Sequence, residues 1–189
     1  ALISGGARGQ GACEARMFCR EGAQVVFGDI LDAAGKATEA DIRAAGGEAT
    51  YVHLNVTSEA DWRAAVETAE RLYGRLSILV NNTGILIRKS IEETTEDDWD
   101  RIMAVNVKAP FLACKYGIPH MNDGGSIIIT SSIMGVRGTG NIVAYATSKH
   151  AVIGLMKVVA HEVAPRNIRA NVIAPGPVDN EFQKGIENE

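Results

Sequence analysis

A doubly wound α/β sandwich, one mostly parallel sheet between two layers of helices, is the fold class this sequence predicts. Three observations predict it. Short apolar runs rich in β-branched residues, such as 25–27, 76–80 and 127–129, alternate with helix-period segments of about 12 to 25 residues, the mark of successive βαβ units. A glycine-rich loop, Ser4-Gly-Gly-Ala-Arg-Gly-Gln-Gly11, follows the first run. The second run ends in an acid, Asp29, eighteen residues after Gly11. A chain of 189 residues, 46% of them hydrophobic, supplies one sizeable core, and the absence of repeats or linkers makes 1–189 a single domain. The expected strand order is 3-2-1-4-5-6, with a ligand lying along the carboxyl edge over the switch between the first and fourth strands.

Leu2-Ile3 begin the first strand, and a helix from about Gly9 to Glu21 carries Cys13, Met17 and Phe18 at helical spacing. Between them, Gly5, Gly9 and Gly11 let the backbone turn tightly and approach a pyrophosphate, with the helix N-terminus adding amide donors and a positive dipole. Residues 24–29 form the second strand, whose terminal Asp29 is placed to bind the adenosine ribose hydroxyls. A 2′-phosphate there meets like-charge repulsion, so NAD is preferred over NADP. Arg8, within the loop, is the one candidate that would permit NADP; its alternatives are a solvated side chain or a pair with Asp29.

From Asp32 to Gly46-Gly47 a polar, Ala-rich segment reads as a surface helix, and residues 49–54 as the third strand, with His53 a packed or edge residue rather than a ligand. Ser58 caps a helix that runs to Tyr73-Gly74. Residues 76–80 make the fourth strand, ended by Asn81-Asn82-Thr83-Gly84. Thr95-Glu-Asp-Asp98 opens a long helix to about His120, its acids favoured by the helix dipole, and Pro110 within it predicts a kink or local break. Residues 126–130 form the fifth strand, 144–164 the second long helix, stopped by Pro165, and 168–174 the sixth strand.

Chemistry concentrates between the fifth strand and the helix after it. Tyr145 and Lys149 stand one helical turn apart on one face. A free phenol, with a pKa of about 10, is a poor base at neutral pH, but an ammonium beside it favours the phenolate and lowers that value. Such a pair moves a proton at neutral pH. Ser132, at the end of the strand, offers a hydroxyl to hold a substrate oxygen, with Ser131 its competitor.

Together the Gly-rich loop, Asn-Asn-Thr-Gly84, the Ser132, Tyr145, Lys149 set and Pro175-Gly-Pro-Val178 resemble, in the order required, the short-chain dehydrogenase/reductases, over essentially the whole chain. The resemblance implies a Rossmann-like domain that transfers a hydride between a nicotinamide and a secondary alcohol or ketone. In it Tyr145 is the general acid/base, Lys149 lowers its pKa and binds the nicotinamide ribose, Ser132 orients the substrate oxygen, and Asn106 holds a water linking Lys149 to solvent. It places Gly5, Arg8, Gln10, Gly11, Asp29, Ile30, Asn55, Val56, Asn82, Gly84, Pro175, Gly176 and Val178 along the cofactor with Tyr145 and Lys149. Asn55 stands where the family carries Asp beside the adenine, keeping an acceptor without the charge, and Thr83 replaces an Ala. Asn180 falls where the family has Thr, and would substitute as a donor.

The same resemblance packs the two long helices against a second copy, giving a homodimer or homotetramer. Ile85, Leu86, Ile87, Met134 and Val136 imply an apolar cleft wall suited to cyclic alcohols, steroids, diols or acyl chains, whereas Arg88 and Arg137 are candidates for an anionic group. Two other readings stay open: an NADPH-dependent reductase of 3-ketoacyl carriers, and a non-catalytic dinucleotide sensor.

Composition narrows the partners. A net charge of −4 gives no electrostatic reason to expect nucleic acid or an anionic membrane, and no apolar run approaches the roughly 18 residues needed to span a bilayer. Cys13, Cys19 and Cys114 are odd in number and lack metal-ligand spacing, which points to free thiols in a reducing, cytoplasmic setting and to no metal. The sequence opens inside the first strand without an initiator Met and stops at 182–189, where the family continues with further helices and a last strand. It therefore reads as a fragment.

Overall fold

In the computed structural model, which describes residues 1–179, six strands form one sheet in the order β3-β2-β1-β4-β5-β6, every neighbouring pair parallel. They are β1 (Leu2–Ser4), β2 (Val25–Asp29), β3 (Ala49–His53), β4 (Leu76–Asn81), β5 (Met121–Thr130) and β6 (Arg169–Ile173). The helices are α1 (Gly9–Arg20), α2 (Asp32–Ala44), α3 (Glu59–Tyr73), α4 (Glu96–Met103), α5 (Ala109–Gly117) and α6 (Val143–Val163). The expected strand order stands, and "mostly parallel" becomes wholly parallel. Asn180 and the stretch 182–189 lie outside the described residues.

Strand alternation divides the core in two. Leu2, Val26, Leu79, Ile127 and Ile129 face α3, α5 and α6, where fully buried Trp62 donates its indole N–H to Val56 O at 2.9 Å. Ile3, Val25, Phe27 and Val80 face α1 and α2 with Ala15 and Ile42. Ser58 caps α3 by accepting from the Asp61 N–H at 3.2 Å, as its sequence pattern implies.

Two elements differ from expectation. β5 begins at Met121, five residues early, because Asn122–Gly124 are exposed and continue the strand past a register shift opposite residues 76–78. The long helix 95–120 is four pieces: α4, a π-helical turn over Ala104–Lys108, α5, and a 3₁₀ turn over Ile118–His120. Pro110 accounts for the break. It has no N–H to return to Asn106 O, and the chain widens so that the Ala109 N–H reaches Ala104 O instead. At the start of α4, Thr95 and Asp98 form a reciprocal capping box, and Lys89 donates to Asp98 Oδ2 at 2.6 Å. That contact ties the segment after β4 to α4, and it holds the Asp98 carboxyl down to about 2.

Candidate active site

The carboxyl end of β5 and the first turns of α6 bring three of the expected groups together. Tyr145 is 8% exposed, packed with Ile102, Ile142, Ile85, Leu86, Ile87 and Met134. The Ser132 side chain lies beside the Tyr145 hydroxyl and favours the ionised phenol, and Ser132 Oγ accepts the Met134 N–H at 3.1 Å. Ser131 faces the other way and donates to Lys149 O at 2.8 Å. The two serines thus separate by strand alternation: Ser131 anchors the α6 backbone, and Ser132 meets the phenol.

Lys149 is buried, its Nζ 5.6 Å from the Tyr145 ring centroid and donating to Thr130 O at 2.9 Å. The expected lowering of the Tyr145 pKa is not what this geometry gives. Burial pushes the phenol up, the Ser132 side chain opposes that, and the ammonium is spent on a carbonyl. Burial also brings Lys149 down to about 8 from 10.5.

This last shift has a stability consequence. Below pH 8 both folded and unfolded chains hold the Lys149 proton, and the folded state bears the full cost of a buried charge. Between about 8 and 10.5 the unfolded chain binds more protons, so stability rises with pH. Relative to Lys149→Met, the wild type is expected to gain about 3 kcal/mol in urea unfolding between pH 7 and 10.5. A difference that stays flat with pH would show that Lys149 is not held this way.

Asn106 sits inside the π-helical turn and is 1% exposed. Its Oδ1 accepts the Ile85 N–H at 2.8 Å, while its Nδ2 donates to Ile85 O at 2.9 Å and Ser148 Oγ at 3.0 Å. One amide therefore clamps the turn after β4 to α6. Gly84 lies between: a Cβ there would stand 3.2 Å from Lys149 Nζ and 3.6 Å from Asn106 Oδ1.

At the other end of the same edge, the glycine loop leaves space for an anion. Arg8 is the extended residue before α1; among the described residues its side chain does not cap the helix and no acid occupies the first turn, so the positive end of α1 faces the loop. Gly5 has φ of 72° and a Cβ on it would be 2.9 Å from Thr83 Oγ1; a Cβ on Gly11 would be 2.1 Å from Gly5 O. Among the described residues, Gly9, with φ of 57°, and Gly176 have nothing within 4 Å of a Cβ. Gln10 donates to Glu14 Oε1 at 2.9 Å. Asn82 reaches Gly5 O at 3.4 Å. These residues fit a dinucleotide pyrophosphate.

Asp29 ends β2 with Oδ2 accepting the Ala7 N–H and Oδ1 the Leu31 N–H, both at 3.2 Å, which orients the carboxylate at the loop mouth. Beside it Ile30 is 61% exposed. Asn55 is less available than expected, because its Oδ1 already accepts from Thr57 N and Thr57 Oγ1 at 3.1 and 2.8 Å. Val56 is buried in the core. Pro175 O accepts the Ile133 N–H at 2.9 Å, holding the segment through Gly176 and Val178 beside the serines. A concavity of about 690 Å³ near Arg75 and Asn122 opens where β4 and β5 begin, and holds none of these groups.

Sequence reading missed three supports. Ser4 Oγ accepts the N–H groups of Asn82 and Thr83, Thr130 O holds Lys149, and Ser148 joins Asn106 to Tyr145 O. Only Ser148 carried a signal, as a hydroxyl inside the Tyr-to-Lys turn. Thr83 brings a buried hydroxyl with no partner among the described residues, a polar cost that the usual Ala would avoid.

A glycine loop opening on an uncapped helix, an acid ending the next strand, and a Ser, Tyr, Lys set beyond the switch point define the class of nicotinamide-dependent α/β oxidoreductases. Residues 1–189 match the family model described as short chain dehydrogenase, and the chain belongs to that family. It is 48% identical over 180 residues to a 3-alpha-(or 20-beta)-hydroxysteroid dehydrogenase of Mycobacterium tuberculosis, covering 94% of this chain and 68% of that protein. It is 41% identical to a trans-4-hydroxycyclohexanecarboxylate dehydrogenase of Sinomonas cyclohexanicum, covering 99% and 75%. Among solved structures, a mutant Serratia marcescens short-chain dehydrogenase/reductase superposes with TM-score 0.93 at 38% identity, covering 96% and 75%. A blue fluorescent protein from a metagenomic library, in complex with NADPH, gives 0.91 at 34%, again covering 96% and 75%. No helix among the described residues is long and apolar enough to cross a membrane.

Proposed function

We propose that the protein moves a hydride between NAD(H) and a cyclic secondary alcohol or its ketone. The observation that carries this reading is a nearly dry Tyr145 with Ser132 beside its hydroxyl and the Lys149 ammonium 5.6 Å from its ring, one turn on. When bound, the nicotinamide supplies the hydride acceptor or donor. Ser132 and Tyr145 hold the substrate oxygen between them, and Tyr145 gives or takes its proton. Burial keeps that phenol protonated at neutral pH in the free protein, which poises it to protonate a ketone oxygen. Lys149 holds the ribose, and Asn106, its side chain committed to Ile85 and Ser148, holds through its main-chain carbonyl a water that links Lys149 to solvent.

Asp29 supports NAD over NADP, since its carboxylate would face a 2′-phosphate. The apolar surround of Tyr145, with Ile85, Leu86, Ile87 and Met134, suits a hydrocarbon ring. The two relatives named above are dehydrogenases of a hydroxysteroid and of a hydroxycyclohexane carboxylate, which favours the same class. Outward apolar residues of the two long helical stretches, Trp99, Phe111 and Val158, support self-association as a dimer or tetramer. Three free thiols suit a reducing cytoplasm.

The test follows absorbance at the reduced-nicotinamide band with NAD or NADP and a panel of cyclic secondary alcohols and ketones. Turnover with NAD at least tenfold more efficient than with NADP is expected. Tight dinucleotide binding without turnover of any panel member would favour the sensor reading, and a preference for NADP would overturn the role given to Asp29.

A further inference from the structure

Asp29 and His53 are the last residues of two adjacent parallel strands and stand opposite each other in register. Two residues earlier on each strand, Phe27 and Tyr51 meet ring to ring at 5.7 Å on the sheet face covered by α1 and α2. Strand alternation returns Asp29 and His53 to that same face, so the imidazole and the carboxylate are neighbours along the rim. The His53 ring is held there, since Nδ1 pairs with Asp32 Oδ1 at 2.9 Å, and Tyr51 Oη, which donates to Asp29 O at 2.6 Å, also bonds that Asp32 oxygen at 2.8 Å. With Nδ1 so used, Nε2 is the ring nitrogen left for a ligand, and the side chain is 54% exposed.

We propose that His53 is a specificity-determining residue at the adenosine end of the cofactor site, its imidazolium countering Asp29 and admitting the 2′-phosphate of NADP(H) as pH falls. This rests on the reading of Asp29 as the ribose-binding acid.

The groups facing His53 are Asp29 from β2, Asp32 from α2 and Asp61 from α3, with Tyr51 beside it on β3 and Lys36 acting on Asp32 from α2. The hydrogen bond to Asp32, and the three carboxylates together, raise the imidazole's pKa, while Asp32 is held down. Asp32 therefore stays ionised while His53 gains its proton. The rim loses one unit of negative charge, against a ligand group that differs between the two cofactors by a phosphate. NAD(H), lacking that group, is nearly indifferent to the change.

The experiment measures dissociation constants of NADH and NADPH by their fluorescence on the wild type, His53→Gln and Asp29→Ser, from pH 8.5 to 6. In the wild type the NADPH-to-NADH ratio of dissociation constants is expected to fall roughly tenfold more than in His53→Gln, an electrostatic change set by one charge at short range. The phosphate's own titration near pH 6 contributes equally to both proteins and cancels in that comparison. Equal pH dependence in wild type and His53→Gln would overturn the proposal. An Asp29→Ser variant that leaves the ratio at pH 8.5 unchanged would instead overturn the reading of Asp29, and the two failures are separable.

Discussion

Tyr145→Phe is expected to lower kcat by about three orders of magnitude or more while leaving dinucleotide affinity within about threefold of wild type. The ring is what packs against Ile102, Ile142 and the Ile85–Ile87 segment, and phenylalanine keeps all of it. What goes is one hydroxyl, the atom beside Ser132 that would pass the proton. Removing it also leaves Ser132 Oγ its contact with the Met134 N–H, so the loop has no reason to move. Equilibrium binding of NADH beside steady-state kinetics makes the check: retained turnover would sink the role of Tyr145, and lost binding would show a structural defect instead.

Gly11→Ala is expected to destabilise the protein by several kcal/mol and to weaken NADH binding at least a hundredfold. The methyl would be placed 2.1 Å from Gly5 O and 2.7 Å from Asn82 Nδ2. The first of these is backbone, so no side-chain rotation relieves it. The loop must open or α1 must shift, and either change moves the amides proposed to receive the pyrophosphate. Gly9→Ala is the control. It has free space and only a positive φ to satisfy, with an expected cost of about 1 kcal/mol. Urea unfolding and NADH titration of the two variants separate crowding from strain; equal effects would mean that the Gly5–Gly11 contact does not position the loop.

Much of this was readable because it rests on residue type at fixed spacing. Asp29 closes an apolar run, Tyr145 and Lys149 lie one turn apart, and the strand order follows from alternating strands and helices. Ser131 and Ser132 were less decided, since both carry the same group. Only the pleat, which turns one to the α6 backbone and the other to the phenol, distinguishes them. The Tyr145 shift was misjudged because burial depth is a property of the packed cluster, not of the Tyr-to-Lys spacing. Lys149 finds a main-chain carbonyl, and any residue at 130 would supply one. The Asn55 acceptor was lost to Thr57, a neighbour two residues away whose competition local spacing does not rank.

The widened turn at Ala104–Lys108 acts as a phase shifter. One additional residue in the helical repeat rotates everything beyond it by about 100° relative to an unbroken α-helix. Ahead of it α4 buries only Ile102; beyond it α5 buries seven of nine residues against the sheet. One continuous rod could not point its apolar residues in both directions with this sequence. Deleting a single residue between 104 and 108 would restore an ordinary repeat, and Asn106 would leave the position from which it grips Ile85 and Ser148. Here the length of a segment, and not only the identity of its side chains, carries information the site depends on.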